Sequence, residues 1–100
     1  MEIVIHRINK IQELKNIPPN YGCEIDIRTN GNKLILNHEP FIGGDSFSDY
    51  LDEYRHGLLV LNIKEAGIEE MVLKEVRKRN ILNFFLLDVE FPYLYRASRD

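Results

Sequence analysis

Two apolar runs, "CEIDIRT" (23–29) and "KLILNH" (33–38), are separated by Asn30-Gly31-Asn32. A polar, glycine-centred break between two strand-like runs is a tight-turn signal, so the spacing predicts a β-hairpin. Any fold open to this chain must accommodate that hairpin. It must also accommodate two acids, Glu24 and Asp26, inside the first run and a histidine, His38, closing the second. Side chains two apart on a strand share a face, so Glu24 and Asp26 point the same way.

The segments around the hairpin alternate between strand and helix patterns. "EIVIH" (2–6) is a short β-branched run. Asn9 is placed to cap a brief helix, with Gln12 reaching back and Ile8, Ile11 and Leu14 facing one way, until Pro18-Pro19 stops it. Ser46 opens a Ser-x-x-Asp cap before Phe47, Tyr50, Leu51 and Tyr54, which repeat at helical spacing up to Gly57. "LLVLNIK" (58–64) reads as a buried strand. Gly67 precedes a helix over 68–79, acidic at its start and basic at its end, with Ile68, Met71, Val72 and Val76 inward. "NFFLLDVEF" (83–91) is the last strand, followed by the tail "PYLYRASRD". Strands apolar on both faces and separated by helices predict an α/β protein with a mostly parallel sheet.

The 100 residues amount to a single domain with one modest core. A net charge of −3 and a pI near 5.6 argue against a nucleic-acid partner. Lys74, Arg77, Lys78 and Arg79 gather at a helix C-terminus, where cations complement the macrodipole, and His56 beside Gly57 has the same explanation. The lone cysteine, Cys23, excludes an intrachain disulfide, lies inside a strand as a buried thiol and makes a reducing compartment the default. No apolar run approaches the roughly 20 residues of a membrane span, and "MEIVIHRINK" suits no signal peptide. The expectation is a cytoplasmic protein with no membrane insertion.

Several strands finish on polar residues: His6-Arg7, His38-Glu39, Asn62-x-Lys64 and Asp88. In parallel α/β sheets and barrels the carboxyl ends of strands bind ligands, so these groups and the two acids are candidates for one site. Close carboxylates call for a cation between them, and hard oxygen donors without thiolate favour Mg²⁺ or Ca²⁺. Imidazoles suit general acid and base roles, while Arg7 and Lys64 would neutralise an anionic phosphodiester. Singly, each has a structural reading as well: a hydrogen-bonded histidine, a solvated edge-strand face, a snorkelling lysine, a capping aspartate.

In order along the chain, "HR" after the first strand, "EIDIR", "GNKLILNHEP" and "LNIK" resemble the motifs of the glycerophosphodiester phosphodiesterase family. The resemblance runs from about residue 3 to residue 64 and more loosely to Asp88. It implies a metal-dependent TIM-barrel hydrolase that cleaves small-molecule glycerophosphodiesters to an alcohol and glycerol 3-phosphate. On that resemblance His6 and His38 are the acid/base pair, Arg7 and Lys64 hold the phosphate, and Glu24 and Asp26 bind the Mg²⁺ or Ca²⁺. Asn62 stands where the family has a third metal-binding glutamate, and its amide oxygen ligates without adding charge. Ile8 replaces the glycine of the family's HRG motif.

A complete TIM barrel takes about 250 residues. The expected fold is therefore a partial barrel: a half TIM barrel over 1–100, with a curved, mostly parallel sheet, a hairpin of its second and third strands, and helices on the outer face. Open edges in such a half-barrel predict self-association as a homodimer or higher homo-oligomer. The alternatives to a hydrolase are a truncated, inactive half-barrel that binds a phosphorylated metabolite or metal, and a purely structural self-associating module.

Overall fold

The computed structural model of the chain describes residues 3–39, 43–88 and 94–96, with backbone alone for 88 and 94–96. Its longest strand, β2 (Gly22–Asn30), is the one on which the sheet is assembled. Alternation separates its faces: Cys23, Ile25 and Ile27 are fully buried, while Glu24, Asp26 and Arg28 fall on the opposite side. β2 turns into β3 (Lys33–Leu36) through Gly31 and Asn32, with Asn30 opposite Lys33. Gly31 takes φ 65° at the first loop position, a left-handed geometry that glycine adopts without strain.

On its other edge β2 pairs in parallel with β5 (Leu59–Ile63), Asp26 level with Asn62, and β5 pairs in parallel with β6 (Phe84–Asp88). The approach of β2 to the residue before β5 is so close that a Cβ at Gly22 would collide with the Leu58 carbonyl. The short β1 (Val4–Ile5) runs parallel to the start of β2, on the edge that β3 occupies further along. The flanking strands β4 (Asp45–Ser46) and β7 (Leu94–Arg96) pair antiparallel with β3 and β6.

Among the described residues the sheet runs β4-β3-β2-β5-β6-β7 with β1 beside β2, in three parallel and three antiparallel pairings. This overturns the expected half TIM barrel. The sheet is mixed, and it ends at antiparallel strands on both sides instead of curling as a parallel series. Connection length is the physical reason. A parallel neighbour needs a crossover of about a dozen residues or more, and the links 31–32, 37–44 and 89–93 are all shorter. Residues 89–91 of the expected last strand, and Phe41 and Ile42 of the loop after His38, lie outside the described residues.

The helices α1 (Ile11–Leu14), α2 (Phe47–Glu53) and α3 (Glu69–Lys78) pack on the apolar face. Leu14, Phe47, Tyr50, Leu51, Val72 and Val76 close over Ile25, Ile27, Leu61 and Ile63 to make the core. α2 starts where the Ser46 hydroxyl accepts from the Asp49 N–H at 3.3 Å. α3 buries Val72, Leu73 and Val76, with Ile68 buried at its N-cap, whereas Met71, expected inward, is 43% exposed. Its buried stripe leans toward Leu73, which leaves Met71 on the far side. No helix among the described residues is long and apolar enough to cross a membrane.

Candidate functional site

The helix-free face of the sheet carries Glu24, Asp26 and Arg28 on β2, with Val60 and Asn62 beside them on β5. Lys64 follows on the same side immediately after β5, its N–H bonded to the Ile27 carbonyl at 3.1 Å. Asp26 is 1% exposed, the one buried charged residue among those described. A carboxylate this deep must be compensated. The Asn9 amide donates to Asp26 Oδ2 at 3.0 Å, and Lys64 Nζ lies 3.7 Å from Oδ1.

Glu24 is held in the same manner. His6 Nδ1 lies 2.9 Å from Glu24 Oε1, and Asn62 Nδ2 donates to Oε2 at 3.3 Å. The His6 side chain is otherwise open to solvent, so a Nδ1–H directed at Glu24 leaves Nε2 as a free acceptor. His38 repeats the arrangement: its Nδ1 is 3.1 Å from Glu39 Oε2. Each expected acid/base histidine is thus backed by a glutamate on Nδ1.

The backbone between β1 and β2 makes this possible. Arg7 adopts φ 56°, the left-handed region that non-glycine residues seldom enter. The turn returns the Ile8 N–H to the Glu24 carbonyl at 3.0 Å. Next to it, Asn9 Oδ1 accepts from the Asp26 N–H at 2.9 Å. Further along, the Asn37 N–H bonds the Asp26 carbonyl at 3.0 Å. The gap between β1 and β3 along one edge of β2 is therefore sealed by Ile8 backbone, the Asn9 side chain and Asn37. Asn9 is not the helix cap that its position suggested. The first turn of α1 is met instead by Asp45, whose Oδ2 accepts from the Ile11 N–H at 2.7 Å. A free backbone donor on a strand edge beside a buried carboxylate outcompetes a four-residue helix for the amide.

Arg28 has a role in the site that none of the candidate motifs assigns to it. Its Nη2 donates to the His38 carbonyl at 2.8 Å, and its Nε lies 3.1 Å from the Asn37 carbonyl. The strand that carries both acids thereby also fixes the loop that carries His38. The signal was present in the sequence as the third same-face polar residue of "EIDIR".

The structure brings His6, Glu24, Asp26, Asn62 and Lys64 together on one face. Arg7 and His38 lie to one side. With Asn9, Lys10, Leu36 and Asp45 they line a cavity of about 230 Å³. Asn9 joins the two parts, since it lines this cavity and holds Asp26. Among the described residues no hydrogen bond links His38 to either acid of β2. The side chain of Asp88 is not described. His56 anchors the loop after α1, with Nε2 on the Ile17 carbonyl at 2.8 Å. A larger cavity of about 550 Å³, bordered by Lys33, Phe47, Met71 and Lys74, is on the helix side and includes none of the expected site residues.

The expected Mg²⁺ or Ca²⁺ site fits this donor set poorly. Mg²⁺ takes about six and Ca²⁺ about six to eight oxygen ligands. Here each carboxylate already faces two nitrogen-bearing side chains, and Asn62 turns its nitrogen, not its oxygen, toward Glu24. No cluster of three or more His, Cys, Asp or Glu suited to a metal occurs among the described residues. The chain matches no protein-family model, no curated protein and no solved structure.

Proposed function

We propose that the chain hydrolyses a small phosphodiester, with His6 and His38 as the proton-transfer pair and Arg7 and Lys64 as the cations that hold the phosphate. The observation that carries this reading is the His6–Glu24 pair at 2.9 Å next to the Asp26–Lys64 pair on one sheet face. Hydrolysis needs one group to accept a proton and another to donate one. As a water oxygen bonds to phosphorus, its proton passes to the Nε2 of one imidazole. As the phosphorus–oxygen bond to the alcohol breaks, the other imidazolium protonates the departing oxygen. The products are an alcohol and a phosphomonoester. The motif resemblance to glycerophosphodiester phosphodiesterases supports a glycerol-based diester as substrate, giving glycerol 3-phosphate.

A second reading is favoured by one observation: Asp26 is already paired with Lys64 and hydrogen-bonded by Asn9, as in a site that binds a phosphorylated metabolite without turnover. Both readings keep the chain in the cytoplasm, on the strength of the single buried Cys23. Strand edges such as that of β4 support self-association as a homodimer.

The deciding assay is hydrolysis of glycerophosphocholine and bis(p-nitrophenyl) phosphate by the full chain. His6→Ala is expected to lower the rate by about 10²–10⁴, the usual worth of a positioned acid or base. Because the His6 side chain is 81% exposed, its loss should leave the melting temperature nearly unchanged. Hydrolysis that survives both His6→Ala and His38→Ala would refute the assignment, and phosphate binding without hydrolysis would establish the second reading.

A further inference from the structure

We infer that the cation of this site is built into the chain: the Lys64 ammonium occupies the role expected of a divalent metal, and the site takes a phosphate ester without one. The inference rests on the phosphate reading above for its ligand, but its charge balance is independent of any turnover.

Four nitrogen-bearing side chains meet the two carboxylates. Lys64 and Asn9 face Asp26, and His6 and Asn62 face Glu24. A divalent ion bridging the acids would have to displace donors from both. It would also sit beside an ammonium that is 3.7 Å from Asp26 Oδ1 and has little freedom to withdraw, since the Lys64 side chain is only 21% exposed. Like charges so close in a partly desolvated site repel strongly. Asn9 adds a geometric obstacle. It is fixed at both ends on Asp26, through the backbone N–H at 2.9 Å and through Oδ2 at 3.0 Å, so rotating the carboxylate toward a metal forfeits the amide hydrogen bond at Oδ2.

The arrangement favours an anion. An ammonium has three donors, and Asp26 engages one side of it. Arg7 lines the adjoining cavity with a guanidinium that can fork onto two phosphate oxygens. Lys64 on the sheet face and Arg7 in the adjoining cavity offer an ammonium and a guanidinium to a phosphate monoester or diester, which brings its own negative charge.

Two titrations of the full chain test this, neither needing turnover. In the first, Mn²⁺ followed by electron paramagnetic resonance is expected to stay free up to about 1 mM, the weak end of protein sites for hard divalent cations. In the second, inorganic phosphate added in the presence of EDTA is expected to bind, with affinity at least tenfold lower in Lys64→Met and retained in Lys64→Arg. Lys64→Met removes the repulsion at Asp26 and should acquire saturable Mn²⁺ binding. Because the variant leaves Asp26 without its counter-ion, circular dichroism checks its fold, and wild type and Lys64→Arg decide the matter if it unfolds. Saturable sub-millimolar Mn²⁺ binding by wild type that Glu24→Gln abolishes would overturn the inference. So would phosphate binding that is absent in EDTA or appears only with Mg²⁺ or Ca²⁺. A chain that binds phosphate in EDTA yet leaves diesters intact upholds the built-in cation and removes the hydrolase reading. Hydrolysis strictly dependent on Mg²⁺ or Ca²⁺ does the reverse.

Discussion

Replacing Asn9 with alanine removes two hydrogen bonds at a single buried residue. The Asp26 N–H loses its acceptor at 2.9 Å, and the Asp26 carboxylate loses a donor at 3.0 Å. A buried backbone donor left unsatisfied costs about 1–3 kcal/mol, and a hydrogen bond to a charged group contributes about 1.5–3 kcal/mol. Asn9 itself is only half-buried, so water recovers part of both losses. The expected net destabilisation is about 2–3 kcal/mol, or a fall in melting temperature of about 10–20 °C for a domain of this size. Asn9→Asp separates the two contributions: its oxygen can still accept from the Asp26 N–H, but it sets a second carboxylate against the first. It should therefore be no more stable than Asn9→Ala at neutral pH. Urea denaturation followed by far-UV circular dichroism measures both variants, and an Asp26→Asn background closes a double-mutant cycle with Asn9→Ala. If Asn9→Ala lies within about 0.5 kcal/mol of wild type, the amide is not bracing β2, and the account of how Asp26 is held fails.

Two further outcomes follow from other parts of the structure. Among the described residues the buried Tyr50 hydroxyl has no nitrogen or oxygen hydrogen-bond partner, and desolvation, reinforced by the nearby Cys23 thiol, pushes its ionisation far above the ordinary tyrosine range. Tyr50→Phe should be neutral or up to about 1 kcal/mol stabilising by urea denaturation, and a loss above about 1 kcal/mol would mean the hydroxyl has a partner after all. Glu75 is held below the usual carboxylate range, first by its hydrogen bond from Arg79 at 2.8 Å and then by Ser48. A carboxyl lowered on folding contributes stability above its unfolded value and loses it as pH falls through the folded value. Glu75→Gln should accordingly be less stable than wild type by about 1 kcal/mol near neutrality, with the gap closing in acid; a gap independent of pH would contradict the pairing.

β2, β3, β5 and β6 were legible as apolar runs, whereas β4 and β7 fall in segments with no strand pattern. Cys23, Ile25 and Ile27, then Leu59, Leu61 and Ile63, occupy the positions that their alternation assigns. The pairing directions were less legible, since apolar runs look alike in parallel and antiparallel neighbours. The links 37–44 and 89–93 carry that information only once β4 and β7 are known, and the sequence marks neither as a strand. Within the site, same-face placement of Glu24 and Asp26 was readable from parity alone. The bonds of Asn9 and Arg28 were not, because they reach groups far along the chain: the Asp26 N–H and carboxylate, and the carbonyls of Asn37 and His38. Helix-cap spacing is a local rule, and at Asn9 a long-range backbone vacancy prevailed over it. Met71 shows the same limit on a helix, where three positions of the stripe were readable and the direction in which it leans was not.

The parity of β2 has a consequence for folding fidelity. A slip of one residue against β5 would exchange its faces, driving Glu24, Asp26 and Arg28 beneath the helices and expelling Ile25 and Ile27 to water. Each unpaired charge buried in that way costs several kcal/mol, comparable with the whole stability of a domain this small. The misaligned sheet is thereby excluded by the same side chains that hold the histidines and the lysine in place. Neutralising residue 26 would then mix two effects, altered electrostatics at the site and a sheet free to shift out of step, and only a probe of strand alignment would tell them apart.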